Sequence, residues 1–92
     1  MPPLAPPEIA TRLAKIPAWI VEDSALVRIF TFPDFRDALA FVNRVGEAAE
    51  QACHHPDIDI RYNRVRLLLV THDAHGLTAK DFDLATVIDT LH

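Results

Sequence analysis

Glycine is nearly absent from this chain: Gly46 and Gly76 are its only two among 92 residues. Neither sits in a glycine-rich loop pattern, which excludes a phosphate-cradling loop of that kind. Cysteine is scarcer still. A lone Cys53 forms no intrachain disulfide and points to a reducing compartment. Ser24 is the sole serine, and it lies in a turn-like "EDS" without strand–elbow–helix context, which disfavours a Ser–His–Asp hydrolase. Long apolar runs are missing. "LLLV" at Leu67–Val70 falls far short of the ~18 residues of a membrane span. The proline-rich start, "MPPLAPPEIATRLAKI", has no unbroken apolar core of signal-peptide length. A cytoplasmic protein without membrane contact is expected. Excess positive charge is lacking as well. The formal net charge of −4 argues against broad nucleic-acid binding, which needs a positive surface. The one basic cluster, Arg61, Arg64 and Arg66, reads as the solvent face of a strand.

Against these absences, half of the residues are apolar, ordinary for a soluble globule. One domain over 1–92 is expected. A chain this short buries only roughly 60–65% of its unfolded surface, so a partner subunit would help its thin core. Pro6 and Pro7 suit a first helical turn, and "EIATRLAKI" continues as helix until Pro17. "AWIV" and "ALVRIFTF" flank a turn and read as a hairpin. Asp34 caps a long helix, "DFRDALAFVNRVGEAAEQAC", with Asp37 in its first turn. Its apolar positions Phe35, Leu39, Val42, Val45, Ala49 and Ala52 have helical spacing. Gly46 is costly there and suggests a close packing contact. Pro56 ends the helix. "DIDIRY" and "RVRLLLVTH" alternate as strands around Asn63. Val65, Leu67, Leu69 and Thr71 share one face, and Arg66, Leu68, Val70 and His72 the other. Thr78 opens a final helix. The order α-β-β-α-β-β-α predicts an α+β fold, one four-stranded antiparallel sheet with three helices packed on one face. The second sheet face is partly apolar, so another subunit is its expected cover.

The titratable residues cluster in "EQACHHPDIDIRYN". Glu50 and His54 are four apart, neighbours on a helix face. The helix C-terminus and Glu50 both favour a cationic His54, which suits either a general acid or a simple C-cap. His55 precedes Pro56, whose constraint extends the backbone and turns the two imidazoles in different directions. His72 stands at a strand edge beside a loop, where reactive groups gather, though alone it also reads as a surface histidine. Asp81, three residues after Thr78, reads as part of a capping box. His75 reads as a turn residue before Gly76. His54, His55, His72, His75, Glu50 and Cys53 are metal-ligand types, yet no C-x-x-C or H-E-x-x-H pattern occurs. No metal is expected.

In order, the chain shows Glu50, then His54-His55-Pro56, Tyr62, His72 and Asp81. Around them stand "RIFTFPDFRDALAFVNRV" and "HHPDIDIRYNRVRLLLVTHDAHGLTAKDFDLA". This pattern resembles the pterin-4a-carbinolamine dehydratases, or 4a-hydroxytetrahydrobiopterin dehydratases, over nearly the whole chain. Two departures are visible: "IPAW" has Ala18 where the family often has glycine, and His75 stands where a small residue is common. The resemblance implies a hydro-lyase that expels water from 4a-hydroxytetrahydrobiopterin, in tetrahydrobiopterin recycling, without metal or redox cofactor. It implies His54 and His72 as proton-transfer groups, His55 as pterin-binding, Glu50 orienting His54, and Asp81 orienting His72. His54–Pro56 and Thr71, His72, Asp73 and Ala74 would line the pterin site. Trp19 is expected in the core rather than on the pocket. The family also implies a homodimer or homotetramer and a link to an aromatic amino-acid hydroxylase. The alternative is a non-catalytic dimerisation cofactor or assembly module of the same fold.

Overall fold

The computed structural model describes residues 2–92. Pro6 and Pro7 occupy the opening positions of α1 (Pro6–Leu13), where a missing N–H costs nothing. The helix ends before Pro17. Tight bonds from Lys15 N–H to Arg12 O and Ile16 N–H to Leu13 O wind it down and deliver Trp19 into the core. The hairpin β1 (Ile20–Glu22) and β2 (Ala25–Thr31) closes through Asp23 and Ser24, both at positive φ. Such a two-residue turn matches the twist of the strands it joins. Asp34 then caps α2 (Phe35–Ala52), accepting from Asp37 N–H at 2.9 Å. β3 (Asp57–Arg61) and β4 (Arg64–Leu69) form the second hairpin, and α3 (Ala79–Asp89) follows.

The four strands make one antiparallel sheet in the order β1-β2-β4-β3. The three helices and this element order are those expected from the sequence. Strand alternation sends Val65, Leu67 and Leu69 into the core, each fully buried. Leu26 pairs with Leu69, and Phe30 with Val65, so the central strands present one apolar face to the helices. Phe30 and Phe41 pack with ring centroids 4.6 Å apart. Each such buried side chain contributes about 1.5–3 kcal/mol through surface removed from water. Trp19 is buried, as expected. Its indole N–H donates to Asp89 Oδ1 at 2.8 Å, and the Arg28 guanidinium meets the same oxygen at 2.6 Å. Asp89 thereby ties the end of α3 to the first hairpin.

Three details depart from expectation. Helix α2 buries Ala38, Phe41, Val45 and Ala49, so Val45 and Ala49 lie in the core as expected while Ala38 and Phe41 take the place of Phe35 and Leu39. Phe35 and Leu39 are exposed, because α2 carries two apolar stripes and only one meets the sheet. Gly46 makes no close contact: a Cβ built there meets nothing within 4 Å. Finally, β4 stops at Leu69 rather than at His72. Residues His72–Ala74 form a single 3-10 turn, closed by a Thr71–Gly76 bridge with His75 left-handed. That turn lifts His72 off the sheet edge.

On the helix-free face, Ile20 and Ile29 are about half exposed beside Leu68. Arg61, Arg64 and Arg66 stand on the same face at its β3–β4 end, with Arg61 and Arg64 exposed as expected. Among the described residues, no helix is long and apolar enough to cross a membrane.

Candidate active site

The end of α2 aims the histidines. Cys53 adopts a left-handed conformation, φ 51°, and its N–H bonds back to the Ala49 and Glu50 carbonyls. His54 N–H also returns to Ala49 O, at 3.1 Å. Helices commonly finish this way, usually with glycine at the left-handed position. The reversal splits the two neighbours. His54 turns inward, its side chain 12% exposed, and His55 outward, 62% exposed.

Their partners differ from those expected. Glu50 pairs with His55 (Nε2 to Oε2, 2.5 Å), not with His54. The i,i+4 relation fails because regular helix ends at Ala52, before His54 is reached. Asp81 pairs with His54 (Nε2 to Oδ1, 2.6 Å), not with His72. It sits on the first turn of α3, which packs against the end of α2, whereas His72 is carried outward on its 3-10 turn.

Asp81 is fully buried and both of its carboxylate oxygens accept hydrogen bonds. Its Oδ2 accepts from Thr78 N–H at 2.9 Å and from the Thr71 hydroxyl at 2.8 Å. The Thr78 contact completes the expected capping box. A buried carboxylate with three donors stands fixed, and so does the ring bonded to it. No buried side-chain nitrogen or oxygen lacks a partner among the described residues. His54 Nδ1, which has no hydrogen-bond partner among the described residues, is therefore open to the surface.

His54, His55, Thr71, His72 and Asp73 line one open cleft of about 260 Å³. All five were singled out in the sequence. Cys53, Val70 and Lys80 line it too, and the sequence reading missed them in this role. The position of Lys80, one residue before Asp81, was the available signal for it. Pro56 instead lines a neighbouring groove with Glu50 and His55, and Ala74 is buried. A larger cleft of about 590 Å³ lies between α1 and α3, around Glu8, Arg12, Lys15 and Asp83. It holds no histidine, and its charges are spread along two helices. The smaller cleft is the one in which proton-transfer groups converge, so the candidate site is placed there. Among the described residues, no three of His, Cys, Asp and Glu gather as a metal cluster.

Fold and cleft together define a small α+β protein in which imidazoles from two separate loops line one open cleft. The family model described as Pterin 4 alpha carbinolamine dehydratase matches residues 2–91, and the chain belongs to that family. A protein of Acidobacterium capsulatum, provisionally named a pterin-4-alpha-carbinolamine dehydratase, is 58% identical over 99% of both chains. One of Chloroflexus aurantiacus with the same provisional name is 57% identical, over 99% of this chain and 98% of its own. Among solved structures, a transcriptional coactivator/pterin dehydratase from Brucella melitensis superposes with TM-score 0.92 at 32% identity, over 97% of each chain. A pterin dehydratase-like protein identified as a RuBisCO assembly factor shares the fold, with TM-score 0.66 at 19% identity, over 79% of this chain and 84% of its own.

Proposed function

We propose that this chain is a dehydratase of 4a-hydroxytetrahydropterins, such as 4a-hydroxytetrahydrobiopterin, acting as one domain. The observation that carries the reading is the convergence of His54, His55 and His72 on one cleft, with His54 fixed from behind by buried Asp81. In the reaction the C4a–O bond breaks, the hydroxyl takes a proton and leaves as water, and N5 gives up its proton. A C4a–N5 double bond remains in the quinonoid dihydropterin. One group must donate a proton and another accept one. An imidazole serves either duty near neutral pH, and each such group contributes ~10²–10⁴-fold. His54 and His72 exchange these protons, and His55, steadied by Glu50, holds the pterin. The cleft is smaller than the ~300–1,000 Å³ of sites for drug-sized ligands, which suits a flat bicycle. Lys80 at its rim offers a donor to a pterin carbonyl. Substrate would come from an aromatic amino-acid hydroxylase in the same cytoplasm, where Cys53 stays a thiol.

Two or more copies assemble in this reading. Supporting it are the exposed Ile20 and Ile29 on the helix-free face and Phe35 and Leu39 on α2. Light scattering on purified protein tests the assembly, and a monomer at all concentrations refutes it. The decisive test of function follows the decay of freshly generated 4a-hydroxytetrahydrobiopterin with and without the protein. Acceleration that falls ~10²-fold or more in His54→Ala and in His72→Ala supports the reading. His55→Ala should chiefly raise KM. An unchanged spontaneous rate transfers the chain to the alternative, an interaction module of the same fold.

A further inference from the structure

The hydroxyls behind Asp81 form a chain whose direction follows from counting protons. Thr71 Oγ1 lies 2.8 Å from Asp81 Oδ2 and 2.8 Å from Thr78 Oγ1. A hydroxyl has one proton to give. Thr71 spends it on the carboxylate, which has none to offer. Thr78 must therefore be the donor in the Thr78–Thr71 bond. All three residues are buried, Thr71 at 7% exposure, Thr78 at 2% and Asp81 at 0%, so water does not compete for these contacts. Oδ2 is thus filled by two donors, the Thr71 hydroxyl and the Thr78 N–H, and Oδ1 is left for His54 Nε2. An acceptor at that spot requires Nε2 to carry a proton. In neutral imidazole the other nitrogen is then the bare one.

We propose that Thr71 is a positioning residue. Its hydroxyl, oriented by Thr78, locks the Asp81 carboxylate so that His54, whose ring lines the cleft, is held as the Nε2–H form with its accessible Nδ1 bare. This role rests on the dehydratase reading, and it identifies which nitrogen of His54 handles the transferred proton. Without the hydroxyl, Oδ2 keeps only the Thr78 N–H. The carboxylate can then rotate, and His54 can trade tautomer and tilt. Thr71 lines the cleft, but its hydroxyl is committed inward. Losing that hydroxyl should therefore lower kcat and leave KM nearly unchanged.

The test has two arms on the full-length protein. In the first, long-range ¹⁵N–¹H NMR reads the tautomer of neutral His54 in the wild-type chain. The Nε2–H form supports the proposal and the Nδ1–H form overturns it, whatever any variant does. In the second, Thr71→Val preserves the β-branched shape and removes the hydroxyl. Its kcat for dehydration should fall ~10–100-fold, the scale set by removing a partner that orients a metal-bound histidine. KM should change less than ~3-fold, and Thr71→Ser should restore kcat to within ~3-fold of wild type. Should Thr71→Val not fold, Thr71→Ser and the wild-type tautomer still decide: Ser supplies the same donor and must keep both kcat and the Nε2–H signal. An active wild type whose Thr71→Val variant keeps its kcat overturns the positioning role alone. A wild-type chain without effect on the reaction removes the dehydratase reading and this role with it.

Discussion

Replacing Asp81 by asparagine changes one atom and inverts the logic of the site. The amide offers one acceptor and one donor group where the carboxylate offered two acceptors. Two donors, Thr78 N–H and the Thr71 hydroxyl, converge on Oδ2 at 2.9 and 2.8 Å. The amide oxygen is drawn to that side, since an NH₂ there would face both. The NH₂ then points at His54 Nε2, 2.6 Å from the former Oδ1, and can be satisfied only if Nε2 accepts. His54 is forced into the Nδ1–H tautomer, and its accessible nitrogen changes from base to donor. Packing is nearly conserved; all three bonds to the former carboxylate weaken as its charge is lost, and the lighter desolvation cost of a neutral amide offsets part of this, leaving a stability loss of about 1–2 kcal/mol. For a domain of this size that corresponds to a Tm lowered by roughly 5–10 °C. Turnover should fall much further, by ~10²–10⁴-fold, the share a general acid–base group carries. Stopped-flow decay of the 4a-hydroxytetrahydropterin gives the rate, and calorimetry gives the Tm. An Asp81→Asn protein that turns over within ~3-fold of wild type would falsify the assignment of His54 and Asp81 as a working pair.

Other substitutions separate stability from chemistry. Gly46→Ala should stabilise the fold by about 1 kcal/mol in urea titration, since the added Cβ meets open space and alanine favours helix; a loss would mean that position is occupied in the assembled protein. Asp89→Ala leaves the buried Trp19 indole N–H and the Arg28 guanidinium without their shared acceptor, and should cost about 2–4 kcal/mol by the same titration. Glu50→Gln breaks an exposed pair with His55, so the folding midpoint should move by less than the equivalent of ~1 kcal/mol. Any effect should then be seen in KM, by steady-state kinetics with varied pterin.

How much of this was visible beforehand depended on the distance over which each feature is decided. Strand alternation put Val65, Leu67 and Leu69 inside correctly, because parity along β4 is local. The Asp34 cap and the Thr78–Asp81 box were likewise readable, since three residues suffice to write them. Partner choice was not. Glu50 was matched to His54 by helical spacing, and the left-handed turn at Cys53 passed it to His55. Asp81 reaches His54 across 27 positions, a separation only the packing of α3 on α2 can bridge. The doubled apolar stripe of α2 posed a similar problem: Phe35 and Leu39 match helical spacing as well as Phe41 and Val45 do, and only the sheet selects between them. Asp89 gave no signal at all, because its partners Trp19 and Arg28 lie 70 and 61 residues away.

The diverging rings of His54 and His55 make the pocket a caliper. One jaw is bolted to α3 through Asp81 and the other leans on α2 through Glu50, though a single peptide bond joins them. A substitution in the α2–α3 seam would therefore alter the gap between the jaws before it melted the protein, and residues that never meet a ligand could set the gauge for one.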